Sequence, residues 1–318
     1  MDFACRTLIL FFLAAVAPAK AGDLAAKAED AVARHESFIA ADNGARFLPA
    51  ELRFGEKLAS PDISLIVEPA VNAIADFAAQ MKAAGIKLVV VPVPARVMQE
   101  AGALGVPAPE QQKMRESWQK IISDISARGV EIIDLAPDFS ASSENPFCVR
   151  DTHWSGSGID LATAKLVPLL AEAGLPARWP AGVNSSSEQS ITGDLGGEPE
   201  QVKLRHQSVP NNSEEAKKSP VLLLGDSHVL VFHEGGDLHA TGAGLPDQLA
   251  AALGSMPDVL GVRGSGATSS RISLLRRARS SAGYLESKKV IIWIFAGREF
   301  TEADSWKKLP IARPAKNS

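Results

Sequence analysis

Short, nearly continuous runs of apolar, β-branched residues constrain this chain most strongly, because they alternate with longer segments of helical periodicity. Such runs occupy residues 86–93, 221–224, 259–262 and 290–295. A strand that faces solvent on one side alternates apolar and polar residues, so a continuous run predicts a strand covered on both faces. Strands of this kind, separated by helices, predict a mostly parallel sheet between two helical layers, an α/β/α sandwich.

The remaining segments complete this pattern. Two further strands are predicted at residues 63–67 and 130–135, and helices at 70–84, 110–128, 156–173, 245–253 and 271–281. Residues 176–220 are rich in Ser, Gly, Asn and Pro and break the alternation. We interpret them as a long surface excursion, serving as a lid or a substrate rim, within one catalytic domain of residues 22–318.

The first 21 residues have the pattern of a cleavable signal peptide. Arg6 precedes the apolar residues 7–17, and small residues recur at Ala17, Ala19 and Ala21. The apolar run is shorter than the roughly 20 residues that a membrane-spanning helix needs. We therefore expect a mature protein of residues 22–318 that is periplasmic or secreted, with an uncleaved membrane anchor as the alternative.

Charge and cysteine content exclude several classes of function. The net charge of −4 provides no general basic field for nucleic acid. Cys5 lies in the signal segment, so the mature chain keeps Cys148 alone and has no intrachain disulfide. No Cys/His spacing indicates zinc, and neither a metal nor a cofactor is predicted. We interpret Cys148 as a buried packing residue, with a nucleophilic role as the alternative.

Gly225-Asp226-Ser227 follows the apolar run at 221–224. This position places the hydroxyl of Ser227 at the carboxyl edge of the sheet, where open α/β sheets bind ligands. Gly225 allows the chain to turn without an obstructing side chain. The alternative is that Asp226 and Ser227 only cap a short helix, and His228 is expected at the rim.

Asp151-Thr152-His153-Trp154 precedes the predicted helix at 156–173. Residues two apart share one side of an extended segment. The carboxylate of Asp151 can therefore hold one ring nitrogen of His153 and leave the other free to accept a proton, as a general base requires. The alternative is a helix start in which His153 is incidental.

Together the two segments resemble the paired signatures of the alginate O-acetyltransferase family, which is SGNH-hydrolase-like. The resemblance covers residues from about 86 to 301, with further matches at Gly193-Asp194-Leu195, at Gly244-Leu245-Pro246-Asp247, and at Trp293 with Arg298-Glu299-Phe300. It implies an α/β/α fold with Ser227 as the nucleophile, His153 as the base and Asp151 as the orienting acid.

Four other residues are candidates for oxyanion or substrate binding. Gly264 and Gly266 flank Ser265, and their loop either provides a backbone donor to an oxyanion or is a plain strand-to-helix turn. Arg298 either binds a sugar carboxylate or forms a structural ion pair. Trp154, beside the base, is the fourth candidate.

Three functions fit these residues. The resemblance favours transfer of acetyl groups to the hydroxyls of an exported polysaccharide through an acetyl-serine intermediate. An esterase would use the same triad with water as the acceptor, and a glycan-binding scaffold would need no triad. The resemblance also implies that a membrane O-acyltransferase supplies the acetyl group.

Overall fold

The computed structural model describes residues 22–178, 186–209, 213–264 and 266–312. The predicted signal peptide lies outside these ranges. In the part of the chain that is described, none of the helices is both long and apolar enough to cross a membrane.

The strands are β1 (Ile39–Ala40), β2 (Arg46–Phe47), β3 (Lys87–Val93), β4 (Glu131–Ile132), β5 (Ser186–Ile191), β6 (Glu200–Arg205), β7 (Val221–Gly225), β8 (Asp258–Gly261) and β9 (Val290–Ala296). The helices are α1 (Gly22–Ala33), α2 (Pro49–Leu58), α3 (Ile63–Ala83), α4 (Val97–Glu100), α5 (Ala108–Ser126), α6 (Ala136–Ala141), α7 (Gly156–Glu172), α8 (Ser213–Ala216), α9 (Leu245–Leu253), α10 (Ala267–Ser280) and α11 (Glu299–Glu302). Short 3-10 turns lie at Ala101–Leu104, Ser227–Val229, Gly236–Leu238 and Leu285–Ser287.

Five of these strands form a central sheet in the order β4-β3-β9-β7-β8. Every neighbouring pair in it is parallel. Alternate side chains of one strand enter different cores: Ile291, Trp293 and Phe295 of β9 face one helical layer, whereas Ile292 and Ile294 face the other. Because both faces are buried, the continuous apolar runs are explained, and the predicted α/β/α sandwich is confirmed.

The prediction of a strand at 63–67 is wrong, because these residues form the first turns of α3. Ile63, Val67, Ala70 and Ile74 are buried at helical spacing, while Leu65 is 71% exposed. A short apolar run has no period long enough to separate a strand from a helix. The strand predicted at 130–135 is also shorter than expected, since only β4 joins the sheet.

The excursion at 176–220 contains more structure than predicted. Strands β5 and β6 pair antiparallel over six residues each, from Ser186 opposite Arg205 to Ile191 opposite Glu200. This hairpin lies outside the central sheet. Its closed end carries Thr192, Gly193 and Asp194 to the edge of the sheet where β7, β8 and β9 end.

Candidate active site

A cavity of about 750 Å³ opens at the carboxyl edge of the sheet. It is lined by residues that follow β7, β8 and β9, by residues of the hairpin, by two residues of the loop before α7 and by the residue before α2: Leu48, Thr152, His153, Gln189, Ser190, Ile191, Thr192, Asp194, Asp226, Ser227, Gly236, Asp237, Leu238, His239, Arg263, Gly264, Gly266, Arg298 and Glu299. The position is the one at which open parallel sheets bind ligands.

Asp151 and His153 form a hydrogen-bonded pair at this cavity. Nδ1 of His153 lies 2.6 Å from Oδ1 of Asp151, and the backbone N–H of His153 donates to the same oxygen at 3.0 Å. An ionised carboxylate only accepts, so the proton of the neutral ring is on Nδ1 and Nε2 carries the lone pair. Nε2 is buried and has no hydrogen-bond partner among the described residues. This nitrogen is therefore free to act as a base.

Oδ2, the other oxygen of Asp151, is held by two more donors. The backbone N–H of Asp194 donates to Oδ2 at 2.9 Å, and Nε2 of His239 lies at 2.9 Å from the same oxygen. Asp151 itself is 0% exposed. Burial alone would raise its pKa, but the hydrogen bonds from the two histidines outweigh burial and lower the pKa. The carboxylate is thus ionised and fixed at both oxygens.

Ser227 lies where β7 meets its 3-10 turn, and it lines the same cavity as His153. Gly225, which precedes it by two residues, packs directly against the backbone carbonyl of Ile294, where no side chain would fit. Ser227 is partly exposed and forms no hydrogen bond with His153 in this structure. The two side chains share one cavity, but the nucleophile–base contact is not made.

Asp226 and His228 form a second pair of the same design, which the sequence prediction missed. Oδ1 of Asp226 accepts a hydrogen bond from the backbone N–H of His228 and lies next to Nδ1 of its ring, each at 2.9 Å. Oδ2 accepts the N–H of Ala296 at 2.7 Å. His228 is 4% exposed, so its prediction as a rim residue is wrong. Burial lowers the pKa of His228, and its ring lies against that of His153, with centroids 5.3 Å apart.

The loop that carries Asp151 is held by the hairpin. The carboxylate of Glu200, in β6, accepts the N–H groups of Val149 and Arg150, both at 2.7 Å. Asp194 accepts the N–H of Thr152 at 2.8 Å and its hydroxyl at 2.6 Å. Four hydrogen bonds therefore join the hairpin of the excursion to the loop that carries Asp151 and His153.

A buried arginine holds this loop from the opposite side. The guanidinium of Arg96 donates to the carbonyls of Val149 at 3.1 Å and Asp151 at 2.7 Å, and also to that of Cys148. Arg96 is 3% exposed and follows β3. The positions of Asp151 and His153 are thus set jointly by the sheet and by the hairpin.

Trp154 does not line the cavity. It is 0% exposed and packs edge-on against His228, with ring centroids 5.6 Å apart. Its position gives no support to the predicted role in substrate binding, because the side chain is buried in the core beside the isolated bridge between Phe147 and Trp154. Trp154 therefore contributes to the site through its packing against the ring of His228.

Gly264 and Gly266 both line the cavity, as does Glu299. The carboxylate of Glu299 packs directly against Gly266, next to Ala267, the first residue of α10. Burial raises the pKa of Glu299. A carboxyl group thus already occupies the start of α10.

Arg298 lines the cavity next to Glu299, at the end of β9. Among the described residues its guanidinium has no carboxylate within 4.0 Å; its charge adds to the burial that lowers the pKa of His228 and partly offsets the burial that raises the pKa of Glu299. The structural ion pair with Glu299 that the sequence left open is therefore not formed.

Ligand atoms of Asp151, His153 and Asp194 lie within 4.8 Å of one another, which is close enough for a metal ion. However, every oxygen of the two carboxylates already accepts a hydrogen bond from the protein. These contacts account for the cluster, so we assign no metal to it.

Cys148 is 0% exposed, and burial raises the pKa of its thiol. A buried thiol with a raised pKa is a poor nucleophile, and the structure favours the packing role.

Sequence reasoning missed the contributions of Arg96, Glu200 and His239, and gave Asp194 no role. Asp194 lies in the Gly-Asp-Leu segment that carried part of the resemblance, so a signal for it existed. The repeated Asp-x-His spacing at 226–228 was a signal for His228. No local pattern marks His239, whose partner is 88 residues away.

Solved structures that share the fold include AlgJ of Pseudomonas putida and AlgX of Pseudomonas aeruginosa. The O-acetyltransferase domain of Pseudomonas putida AlgJ aligns with a TM-score of 0.63 and 17% identity, over 85% of this chain and 94% of that domain. Pseudomonas aeruginosa AlgX aligns with a TM-score of 0.54 and 16% identity, over 86% of this chain but only 66% of AlgX. At such identities the likeness shows the fold alone. No curated protein sequence matches the chain.

Family membership rests on the sequence itself. The family model described as "SGNH hydrolase-like domain, acetyltransferase AlgX" matches residues 55–297, well over half of the 318 residues. The matched region contains the Asp151–His153 pair, Ser227 and the hairpin between them. The chain therefore belongs to this family of SGNH hydrolase-like acetyltransferase domains.

Proposed function

We propose that this protein transfers acetyl groups to hydroxyls of an exported polysaccharide through an acetyl-serine intermediate on Ser227. The observation that carries the proposal is the unpartnered, buried Nε2 of His153, on a ring fixed by Asp151, at the cavity that Ser227 lines. Family membership favours acetyl transfer over other acyl chemistry.

In the first half-reaction the hydroxyl oxygen of Ser227 attacks the carbonyl carbon of the acetyl donor. Nε2 of His153 takes the hydroxyl proton, and Asp151 stabilises the imidazolium that forms. When the tetrahedral intermediate collapses, the bond to the donor oxygen breaks and the leaving group takes the proton from Nε2. The acetyl ester of Ser227 and a neutral His153 remain.

In the second half-reaction a sugar hydroxyl attacks the acetyl ester. Nε2 of His153 again takes the proton, the bond between the acetyl carbon and the serine oxygen breaks, and the proton returns to Ser227. With water as the acceptor the same steps give hydrolysis. The hydrogen bond between Ser227 and His153 has to form when the donor binds, as is common for catalytic contacts that are long or absent in unliganded sites.

The developing oxyanion needs a preorganised donor. The backbone N–H of Ser227 has no acceptor among the described residues and starts a helical turn, so we assign it this role. Gly264 and Gly266 complete the wall of the site. Glu299, beside them, is compatible with an oxyanion only in its protonated form, which its raised pKa favours.

Arg298 is assigned to the acceptor. Its guanidinium lines the cavity and has no carboxylate partner among the described residues. A guanidinium can bind a carboxylate through two parallel hydrogen bonds, so a uronate-containing polysaccharide is the acceptor that we favour. A membrane O-acyltransferase is the proposed acetyl donor, and the periplasm or the extracellular space the proposed location.

The test uses a chromogenic acetyl ester, with and without oligouronates, followed by mass analysis of the products and of the intact protein. We expect acetylated oligosaccharide and an acetyl adduct on Ser227. Ser227→Ala should lose turnover by a factor on the order of 10³ or more and lose the adduct.

Ser190→Ala is the matched control, because Ser190 is an exposed serine of β5 that lines the same cavity. It should keep both turnover and adduct. Full turnover in Ser227→Ala with an intact circular dichroism spectrum would remove Ser227 as the nucleophile. Ester hydrolysis without acetylated oligosaccharide would instead favour an esterase.

A further inference from the structure

His239 is the one histidine of the cavity that the mechanism above does not use. We propose that His239 is a positioning residue for the Asp151–His153 pair, whose Nε2–H fixes the second oxygen of Asp151 and thereby sets the orientation and basicity of His153. The proposal rests on the proposed function for its kinetic consequence only, since its structural consequence does not depend on any substrate.

The geometry gives Asp151 an imidazole on each oxygen. His153 binds Oδ1 at 2.6 Å, and His239 binds Oδ2 at 2.9 Å. The side chain of His239 is 7% exposed, so solvent competes little for this hydrogen bond. Together with the N–H of Asp194, which donates to the same oxygen at 2.9 Å, His239 opposes rotation of the carboxylate away from the ring of His153.

The backbone of His239 is strained in a way that the hydrogen bond explains. Its φ of 73° and ψ of −78°, with the N–H of Ala240 donating to the carbonyl of Leu238 at 3.1 Å, define a γ-turn with positive φ. This turn is rare and strained for a residue with a side chain. Strained residues of this kind concentrate at functional sites, and here the turn directs the imidazole toward Asp151.

The charge around His239 gives it a second effect. Burial would lower the pKa of His239, but its hydrogen bond to Asp151 and the charges of Asp151, Asp194 and Glu200 outweigh burial and raise it. The other charged groups of the cavity near this turn are Asp237, of its own loop, and Arg263, which is bound to Asp237 at 2.6 Å. A positively charged His239 places a second ring on the carboxylate that holds His153, and His239→Gln would remove this charge.

Two variants separate the hydrogen bond from the ring. In His239→Gln the amide nitrogen sits as many bonds from Cβ as Nε2 does, so the donor to Asp151 is kept without the charge. In His239→Leu the donor is lost. His233→Leu is the matched control, because His233 is a neighbouring histidine that also binds a carboxylate, that of Asp247 at 3.0 Å, but does not line the cavity.

The measurements are the titration of the His153 ring by NMR and kcat and KM across pH with a chromogenic acetyl ester. His239→Leu should lower kcat about tenfold with KM nearly unchanged, the value of one hydrogen bond to a charged group. His239→Gln should restore most of that loss and shift both the titration of His153 and the acid limb of kcat to higher pH. His233→Leu should change neither.

The proposal is overturned if the Leu variant keeps the wild-type kcat and His153 titration, or if Gln is as slow as Leu. The NMR titration needs no substrate. If the wild-type protein turned over no acetyl donor, the proposed function would fail, while a shift of His153 in His239→Gln would still support the role of His239.

Discussion

The hydrogen bonds between Glu200 of the hairpin and the loop of Asp151, which we call the clamp, allow a quantitative prediction. Glu200 accepts two backbone N–H groups, those of Val149 and Arg150, at 2.7 Å each. Glu200→Gln keeps the shape of the side chain but removes the charge, and only one of its two terminal atoms still accepts. One N–H then faces an amide nitrogen, and the remaining hydrogen bond becomes neutral.

The size of the effect follows from these two bonds. Hydrogen bonds to a charged group contribute roughly 1.5–3 kcal/mol each, against about 1 kcal/mol for a neutral one. Because Glu200 is half-buried, solvent replaces part of the loss. We expect the free energy of unfolding to fall by about 2 kcal/mol, which corresponds to roughly a 30-fold change in the opening equilibrium.

Amide hydrogen exchange tests this locally, since the exchange of the Val149 and Arg150 N–H groups reports the opening of the loop. Both should exchange about 30-fold faster in Glu200→Gln, and acetyl-ester turnover should fall. Glu188→Gln is the control, because Glu188 is exposed on β5. Wild-type exchange at both amides, together with an unfolding free energy equal to that of the control, would refute the clamp.

Three other predictions follow from buried groups of the site. Cys148 should react with iodoacetamide only after unfolding, because it is 0% exposed and burial raises the pKa of its thiol; rapid labelling of the native protein would contradict this. Burial would raise the pKa of Asp226, but the charge and hydrogen bonds of His228 and the N–H of Ala296 lower it to about 2. Because the pKa of Asp226 is lower in the folded state than in the unfolded state, the ionised carboxylate stabilises the protein by about 2 kcal/mol above about pH 4. This stabilisation is lost as the pH falls to about 2. The free energies of unfolding of the wild type and of Asp226→Asn, measured with denaturant, should therefore differ at about pH 7 and converge in acid. Gly193→Ala should lower the free energy of unfolding by about 1–3 kcal/mol, because a Cβ there would overlap the carbonyl of Arg150. An unchanged denaturation midpoint would show that the backbone shifts to make room for the methyl group.

The layers of the fold could be predicted from the sequence, because a strand that is buried on both faces is a continuous apolar run. Strands β3, β7 and β9 are continuous apolar runs in the sequence, and α7 and α9 are each followed closely by a glycine with positive φ, Gly174 and Gly254. Prediction from the sequence failed at 63–67, where four apolar residues around Ser64 are too few to define a period, and in the hairpin, whose polar strands bury few side chains.

The site divides in the same way. Asp151 and His153 are two residues apart, so their hydrogen bond is local and could be read from the sequence, as could the position of Ser227 at the end of an apolar run. The second oxygen of Asp151 is satisfied by Asp194 and His239, from loops 43 and 88 residues away. These two donors reach Asp151 only because the folded chain places the hairpin and the γ-turn next to it. Local spacing therefore determined the reacting pair, whereas only the tertiary structure decided what holds the pair in place, because the donors that satisfy a buried carboxylate are recruited through space.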